Sequence, residues 1–319
     1  MSLITNVEEV RSIYQEAALR NLSLPTFCAE NIQTIEAILQ ATDEFGEEYQ
    51  LKHVPIVIAF TGHYHGRQQL ANYTSLRNIE EGYLAIKSDI LRLTRKDGPY
   101  NGLRVMVHLD HAHPVKDRSI IEDGIGFFAS VMYDCSHLAL AANAKLTAAF
   151  VRQFRDKLLI EGAVDEILES GQTVKSELTR AEDAERYVHE TGVDLIVCNL
   201  GTEHRATMAD RKYNGQRARE ISKKVGKILV LHGTSSLSNK ELGSLANDGV
   251  VKVNIWTRLE ETGGQALARD VADHMKELLS PKPPLDLLTE SHRRNEVWMP
   301  AVVKLIKNYL KILGYERLR

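Results

Sequence analysis

The chain has 319 residues, of which 43% are hydrophobic and 26% are charged. This balance is typical of a globular protein that is long enough to bury a large core. The net charge of −3 provides no basic excess for a phosphate backbone, so nucleic-acid binding is not expected.

The N-terminal stretch MSLITNVEEVRSIYQEA lacks the apolar segment of a signal peptide and carries acidic residues early. No apolar run approaches the roughly 18 residues that a membrane-spanning helix needs. The three cysteines, Cys28, Cys135 and Cys198, are far apart and odd in number. We therefore expect a reduced, cytoplasmic protein without a membrane partner.

Short apolar runs recur along the chain and alternate with amphipathic segments. Most of the runs are continuously hydrophobic, which is typical of strands buried on both faces of a parallel sheet. The predicted strands are Thr26–Ala29, Pro55–Thr61, Arg104–Asp110, Phe128–Asp134, Gln172–Glu177, Leu195–Leu200, Ile228–His232 and Val250–Ile255. The amphipathic segments include EEVRSIYQEAALR, RQFRDKLLIEGAVDEILESG and NGQRAREISKKVG, and the last two end in the glycine that favours a helix stop.

Eight strands alternating with helices predict an α/β fold, a (β/α)8 TIM barrel. An open doubly wound sheet is the alternative, but it favours a GxGxxG turn after the first strand, and LPTFCAEN has none. We expect one TIM-barrel domain over residues 1–319, with the barrel core at about 24–275 and a C-terminal helical extension at about 276–319. The extension includes a predicted helix at Pro300–Leu313 that docks outside the barrel.

Polar side chains cluster where the predicted strands end, which is the active-site face of such a barrel. Three strands each deliver a histidine there, namely His111, His204 and His232, and the predicted fifth strand delivers Glu177. Three imidazoles with an open fourth position suit a catalytic zinc, although other divalent metals also bind imidazole. Asp110, next to a candidate ligand, is placed to act as a general acid or base.

Other histidines near this face leave alternatives open. His108 lies two residues before Asp110 and either orients substrate or fills the barrel. His63 and His65 follow the second predicted strand and either contact substrate or decorate a loop.

Five segments in order, VHLDHA, GFFASVMYDCS, HETGVDLIV, LVLHGTSSL and GVVKVNIWT, resemble the class II, zinc-dependent ketose-bisphosphate aldolase family. That family includes the fructose- and tagatose-bisphosphate aldolases. The resemblance covers residues 24 to 275 and implies a (β/α)8 barrel that usually forms a homodimer or homotetramer.

The resemblance also implies roles for individual residues. Asp110 matches the catalytic aspartate, which exchanges a proton with the hydroxyl that becomes the aldehyde. Glu177 matches the glutamate that is an alternate metal ligand. His111, His204 and His232 match the zinc ligands, and Gly233, Ser235, Asn254 and Thr257 match residues at the substrate and its phosphate.

The implied reaction is a metal-dependent retro-aldol cleavage of a ketose phosphate or related sugar acid, through a zinc-stabilised enediolate. Two alternatives of other classes stay open. One is a non-catalytic relative that binds a sugar phosphate or supports a partner enzyme. The other is a metal-dependent epimerase on the same site.

Several positions depart from the family pattern. The family carries a long Gly-rich loop with an acid after strand five, whereas SELTRAEDAERYVHETGVD leads directly into a helix, with Thr179 and Glu182 as a predicted capping box. We therefore expect that loop to be absent. Arg205 adds a bidentate donor for a carboxylate or phosphate, and Trp256 replaces an acid. With Cys28 where the family often has Asn, these changes predict a different substrate.

Overall fold

Eight parallel strands form a closed barrel in which each strand pairs with the next and the last pairs with the first. The computed structural model describes residues 2–166, 177–203 and 213–319. The strands are β1 Leu24–Cys28, β2 Pro55–Thr61, β3 Arg104–Ala112, β4 Ser130–Tyr133, β5 Leu159–Ala163, β6 Leu195–Val197, β7 Leu229–Leu231 and β8 Val250–Ile255. The predicted (β/α)8 architecture is confirmed.

Helices surround the barrel, and several begin at an asparagine. The side chains of Asn6, Asn31, Asn78 and Asn214 each accept a hydrogen bond from a backbone N–H of the first helical turn, which satisfies donors that the helix itself leaves unpaired. The helices are α1 Val7–Leu19, α2 Ile32–Tyr49, α3 Gln69–Tyr73, α4 Ile79–Thr94, α5 Arg118–Asp123, α6 Leu140–Phe154, α7 Ala181–Thr191, α8 Gly215–Val225, α9 Asn239–Ser244, α10 Thr257–Asp273, α11 Met275–Leu278, α12 Leu285–Leu288, α13 Glu290–His292 and α14 Met299–Ile312. Short 3-10 turns at Thr234–Ser236, Leu245–Asp248 and Tyr315–Leu318 and a π-helical turn at Arg293–Trp298 complete the described elements.

The fifth strand differs from the prediction. It is β5, not Gln172–Glu177. The helix predicted over RQFRDKLLIEGAVDEILESG is wrong after Phe154, where α6 ends and the following apolar run enters the barrel. Of the predicted strand, residues 172–176 lie outside the described residues, and Glu177 is exposed and belongs to no strand.

The segment between β5 and α7 is long, because the strand lies earlier in the sequence than predicted. It comprises residues 164–180, so the prediction that strand five leads directly into the next helix is wrong. Its described part beside the candidate site includes Glu166, which lines a cleft together with His111 and Asp134.

The start of α7 also differs from the prediction. Its N-cap is Arg180, without a side-chain capping bond, so the capping box of Thr179 and Glu182 is wrong. The Thr179 hydroxyl donates instead to Asp165 Oδ2 at 2.5 Å, and accepts from the backbone N–H of Asn199 at 2.7 Å. Thr179 thus ties the end of the β5–α7 segment to the residues just after β5 and β6.

The C-terminal helix α14 packs outside the barrel against α2, as predicted. Tyr309 of α14 contacts Phe27 of β1, with ring centroids 6.3 Å apart. Beyond the helix, the buried Tyr315 hydroxyl donates to the Pro55 carbonyl at 2.9 Å. In the described part of the chain, no helix is long and apolar enough to cross a membrane.

Candidate active site

The end of β3 presents two consecutive side chains to one centre. In a regular strand, neighbouring residues point to opposite faces. Here the pairing of β3 with β4 is irregular between Leu109 and Ala112, and His111 has a left-handed backbone with φ of +47°. Such a bulge redirects a side chain. As a result, Asp110, His111 and His232 each place a ligand atom within 4.8 Å of the others.

The His111 ring is held from two sides. Its Nδ1 lies 2.7 Å from Asp134 Oδ2, and the ring of Tyr64 stacks on it at a centroid distance of 4.1 Å. Burial lowers the pKa of His111, but the carboxylates of Asp110 and Asp134 raise it above the ordinary histidine value overall. Because Nδ1 is engaged by Asp134, a cation would be bound through Nε2.

His232 directly follows β7 and is 1% exposed. Its ring centroid is 4.9 Å from that of His111, and its Nε2 lies 3.5 Å from Glu161 Oε1. Two of the three predicted histidine ligands therefore converge. The third, His204, lies outside the described residues, as does the neighbouring Arg205.

Glu177, the predicted alternate ligand, is exposed in the described segment that precedes α7. The glutamate that contacts the site is Glu161 of β5, which is completely buried. This difference follows from the position of the fifth strand.

Asp110 is buried and its carboxylate is contacted on both oxygens. Oδ2 accepts a hydrogen bond from Asn254 Nδ2 at 3.0 Å and lies 3.9 Å from Cys28 Sγ. Oδ1 lies 3.5 Å from His108 Nε2. Burial raises the pKa of Asp110, but the charges of His111 and neighbouring histidines hold it well below the usual value. The neighbouring histidines therefore favour the ionised carboxylate, which is the form that can accept a proton.

One pocket collects the predicted catalytic, metal and substrate residues at the carboxyl ends of the strands. The predicted site residues that line it are Asp110, His111, His232, Gly233, Ser235, Asn254 and Thr257.

The backbone after β7 requires glycine. Gly233 has φ of +66°, and a Cβ at this position would lie 2.5 Å from the Glu203 carbonyl oxygen. The next residue, Thr234, donates its hydroxyl to the Asn254 carbonyl at 2.7 Å, which joins this turn to the end of β8. The turn is thus fixed where a phosphate contact was predicted.

Trp256 closes another side of the same pocket. The Arg67 guanidinium lies 4.5 Å from the centre of the Trp256 ring, and its Nε donates to Glu30 Oε2 at 2.6 Å. The aromatic residue that replaces an acid is therefore covered by a paired cation.

His63 stabilises the loop after β2 through Asp117. Its Nδ1 lies 2.7 Å from Asp117 Oδ1, and the buried Asp117 carboxylate also accepts from the backbone N–H groups of His63 and His113. His65 is exposed beside Tyr64. Of the two alternatives for His63, the hydrogen bonds favour the loop role.

Sequence reasoning missed two charged residues inside the barrel, Glu161 and Lys252. Lys252 Nζ donates to Glu161 Oε2 at 2.7 Å, and both side chains are completely buried. The available signal was a single charge within an otherwise apolar run, LLIEGA in one case and VVKVNI in the other. His108 lies in the same layer and fills the barrel, which was one of its two predicted roles.

The donors at the centre fit a zinc ion. Imidazole nitrogens are zinc ligands, and those of His111 and His232 lie close enough together to share one ion, within 4.8 Å of an Asp110 carboxylate oxygen. His111 also has the carboxylate partner, Asp134, that zinc-binding histidines usually have.

Comparisons with known proteins identify a family for this chain and related barrel structures. Residues 8–315 match the family described as fructose-bisphosphate aldolase class-II. The crystal structure of the YdjI aldolase from Escherichia coli K12 is 20% identical, with a TM-score of 0.68 and 96% of each chain covered. Fructose-bisphosphate aldolase from Campylobacter jejuni is 16% identical, with a TM-score of 0.76, covering 98% of this chain and 96% of that one.

At these identities the solved structures establish a shared barrel fold, whereas the family match rests on the sequence itself. The match over residues 8–315 extends over all eight strands. It also bears out the expected enzyme class, a carbon–carbon lyase. This chain therefore belongs to the class II fructose-bisphosphate aldolase family.

Proposed function

We propose that the protein is a zinc-dependent aldolase that cleaves a ketose phosphate or a related sugar acid. The observation that carries this proposal is the convergence of Asp110, His111 and His232 within 4.8 Å. Residues suited to a phosphate line the same pocket.

Asp110 is the proposed base. Its ionised carboxylate, fixed by the Asn254 amide, would take the proton from the hydroxyl group whose carbon becomes the aldehyde. Cys28 beside it remains a thiol, because burial and the Asp110 charge raise its pKa well above the ordinary value. A protonated thiol cannot accept the substrate proton, so Asp110 is the proposed acceptor and Cys28 is not.

His111, His232 and His204 are the proposed zinc ligands. When bound, zinc supplies a Lewis acid that stabilises negative charge developing on the substrate oxygens. Asp134 and Tyr64 orient the His111 ring toward this position.

The phosphate is proposed to bind between the turn after β7 and the start of α10. Gly233 and Ser235 line the pocket from the first side, and Thr257, the first residue of α10, lines it from the second. The N-terminus of a helix attracts anions. We propose Arg205 as a further contact for an anionic group of the substrate.

The second proton carrier is proposed to come from the segment 164–180. Glu166 of this segment lines a cleft that also contains His111 and Asp134. Tyr133 suits the role less well, because its ring stacks on Phe150 at 4.1 Å and burial raises its pKa to about 12.

The first test is metal content by mass spectrometry, on protein purified without chelator. About one zinc per chain is expected for a single catalytic site, and His204→Ala should lose it. His189→Ala, a substitution on α7, is the matched control and should keep the metal. Absence of metal from the wild type, even after incubation with zinc, would contradict the proposed site.

The second test is catalysis. EDTA should abolish cleavage and zinc should restore it. Asp110→Asn should retain zinc and lose activity by roughly 100-fold or more. Cleavage yields two carbonyl products from one sugar, whereas an epimerase yields one product, so product analysis separates these functions. Full activity of Asp110→Asn would refute its role, and an unchanged KM in Arg205→Ala for every substrate would refute the anion contact.

A further inference from the structure

A charged layer lies inside the barrel, one step below the candidate site. The layer consists of Lys252, Glu161 and His108. Each of them lies two residues before an inward-facing position at the end of its strand, so its side chain occupies the next layer down. All three are completely buried. Barrel interiors are usually filled with branched apolar side chains, so this layer needs a physical reason.

The layer contacts the site through two arms that start at Lys252. In the first, Lys252 Nζ donates to Glu161 Oε2 at 2.7 Å, and the other oxygen, Oε1, lies 3.5 Å from His232 Nε2. In the second, Lys252 Nζ donates to His108 Nε2 at 3.0 Å, and the same nitrogen lies 3.5 Å from Asp110 Oδ1. Because His108 Nε2 accepts from Lys252, it has no proton for Asp110, and its contact with Oδ1 is one of packing and not a hydrogen bond. One ammonium group therefore fixes the side chains that pack against both a proposed zinc ligand and the proposed base.

The second arm has a defined hydrogen-bond direction. An ammonium group only donates, so His108 Nε2 accepts from Lys252 and the ring proton is on Nδ1. Nδ1 lies 2.8 Å from Ser130 Oγ of β4, to which it donates. Ser130 and Lys252 thus hold the ring from opposite edges, and the ring cannot rotate without breaking one of these bonds.

Burial of an ion pair is not by itself a reason for its presence. Well-packed apolar residues often match or exceed the stability that a buried pair contributes. This pair can also position catalytic groups, because its contacts lead to the proposed base and to a proposed metal ligand. Such groups need positions accurate to about 0.5 Å.

We propose that Lys252 is a positioning residue that acts through Glu161 on His232 and through His108 on Asp110. This inference rests on the proposed function, since it concerns the same zinc ligand and base. In this role Lys252 would contact neither substrate nor metal, because its side chain is completely buried below the pocket. It fixes the separation between His232 and Asp110 from below.

The test uses the double variant Lys252→Met/Glu161→Gln, which removes both charges and leaves no unpaired ion in the barrel. The control is Arg104→Met/Glu9→Gln, which removes an ion pair of 3.1 Å at the opposite end of β3. Zinc affinity is measured by competition with a chelating dye, and the visible spectrum is recorded with cobalt(II) as a replacement. Melting temperature, kcat and KM are measured alongside.

The double variant should fold, bind zinc roughly tenfold or more weakly, and show an altered cobalt spectrum. Its kcat should fall by a similar factor while KM stays near the wild-type value. The control should match the wild type. Wild-type zinc affinity, cobalt spectrum and kcat in the double variant would overturn the proposal, since Lys252 would then only fill space.

Ser130→Ala keeps the test decisive if the double variant fails to fold. It removes the outer anchor of His108 and leaves the Lys252–Glu161 pair intact. It should lower kcat without changing zinc affinity, and unchanged kcat would overturn the His108 arm. A wild type that binds zinc but cleaves no sugar would refute the proposed function, whereas the affinity and cobalt measurements would still decide the role of Lys252.

Discussion

Replacing Asp134 with asparagine should weaken metal binding, although Asp134 is not itself a proposed ligand. Its Oδ2 accepts from His111 Nδ1 at 2.7 Å. Its Oδ1 accepts from the backbone N–H of Ser136 at 3.0 Å and from the Ser136 hydroxyl at 2.6 Å. Both oxygens are thus used as acceptors. Asparagine has one acceptor and one donor group, so it cannot serve both sides.

Two independent magnitudes agree on the size of the effect. Losing a hydrogen bond to a charged, buried group costs about 1.5–3 kcal/mol. Changing the partner of a metal-binding histidine lowers metal affinity by about 10–100-fold, which corresponds to about 1.4–2.7 kcal/mol. We therefore expect Asp134→Asn to bind zinc about 10–100 times more weakly than the wild type.

The assay is zinc competition with a chelating dye at neutral pH. Ser136→Ala is the matched control, because it removes one donor to Oδ1 and leaves the bond to His111 intact. It should weaken zinc binding much less than Asp134→Asn does. Equal zinc affinities of Asp134→Asn and the wild type would refute the reasoning, since His111 would then be oriented without this carboxylate.

Three further predictions concern thiols, stability and specificity. The native protein should resist labelling by Ellman's reagent at mildly alkaline pH, because Cys28, Cys135 and Cys198 are buried and burial raises their pKa, that of Cys135 to about 11. Rapid labelling without denaturant would contradict this. Tyr315→Phe should lower the unfolding free energy in urea by about 1 kcal/mol, since it removes a buried hydrogen bond; an unchanged midpoint and slope would refute it. Trp256→Ala removes the ring beneath Arg67 and enlarges the pocket, so kcat/KM for a large ketose phosphate should rise relative to kcat/KM for a small one. An unchanged ratio of these two values would argue against Trp256 as a specificity residue.

The barrel could be predicted from sequence because its strands are buried on both faces and read as continuous apolar runs. The fifth strand could not, because Glu161 interrupts its run and the flanking charges give a helical pattern. In the folded chain Glu161 pairs with Lys252 of β8, which lies 91 residues away in sequence. A local pattern holds no information about such a partner. Because the fifth strand was predicted too late in the sequence, the loop that follows it was predicted to be absent. For the same reason Glu177 was assigned to the site in place of Glu161.

The centre of the site was easier to predict than its surroundings. Asp110, His111 and His232 were identified because strand ends of a barrel meet at one face. The irregular pairing before Ala112 is not visible in VMVHLDHAH, where alternation alone would place Asp110 and His111 on opposite faces. The partner Asp134 was also missed, because a carboxylate that orients a histidine comes from a different strand end.

At the bulge in β3, the protein should tolerate substitutions better than insertions or deletions. A substitution between Leu109 and Ala112 alters one side chain, whereas a deletion or insertion there would exchange the faces that later residues occupy. Two consecutive residues could then no longer place the proposed base, Asp110, and the proposed metal ligand, His111, at one centre. Relatives with an altered length in this stretch should therefore have lost the reaction more often than those with altered residues. An engineer who transfers the Asp110–His111 pair to another barrel must transfer the extra backbone residue with it.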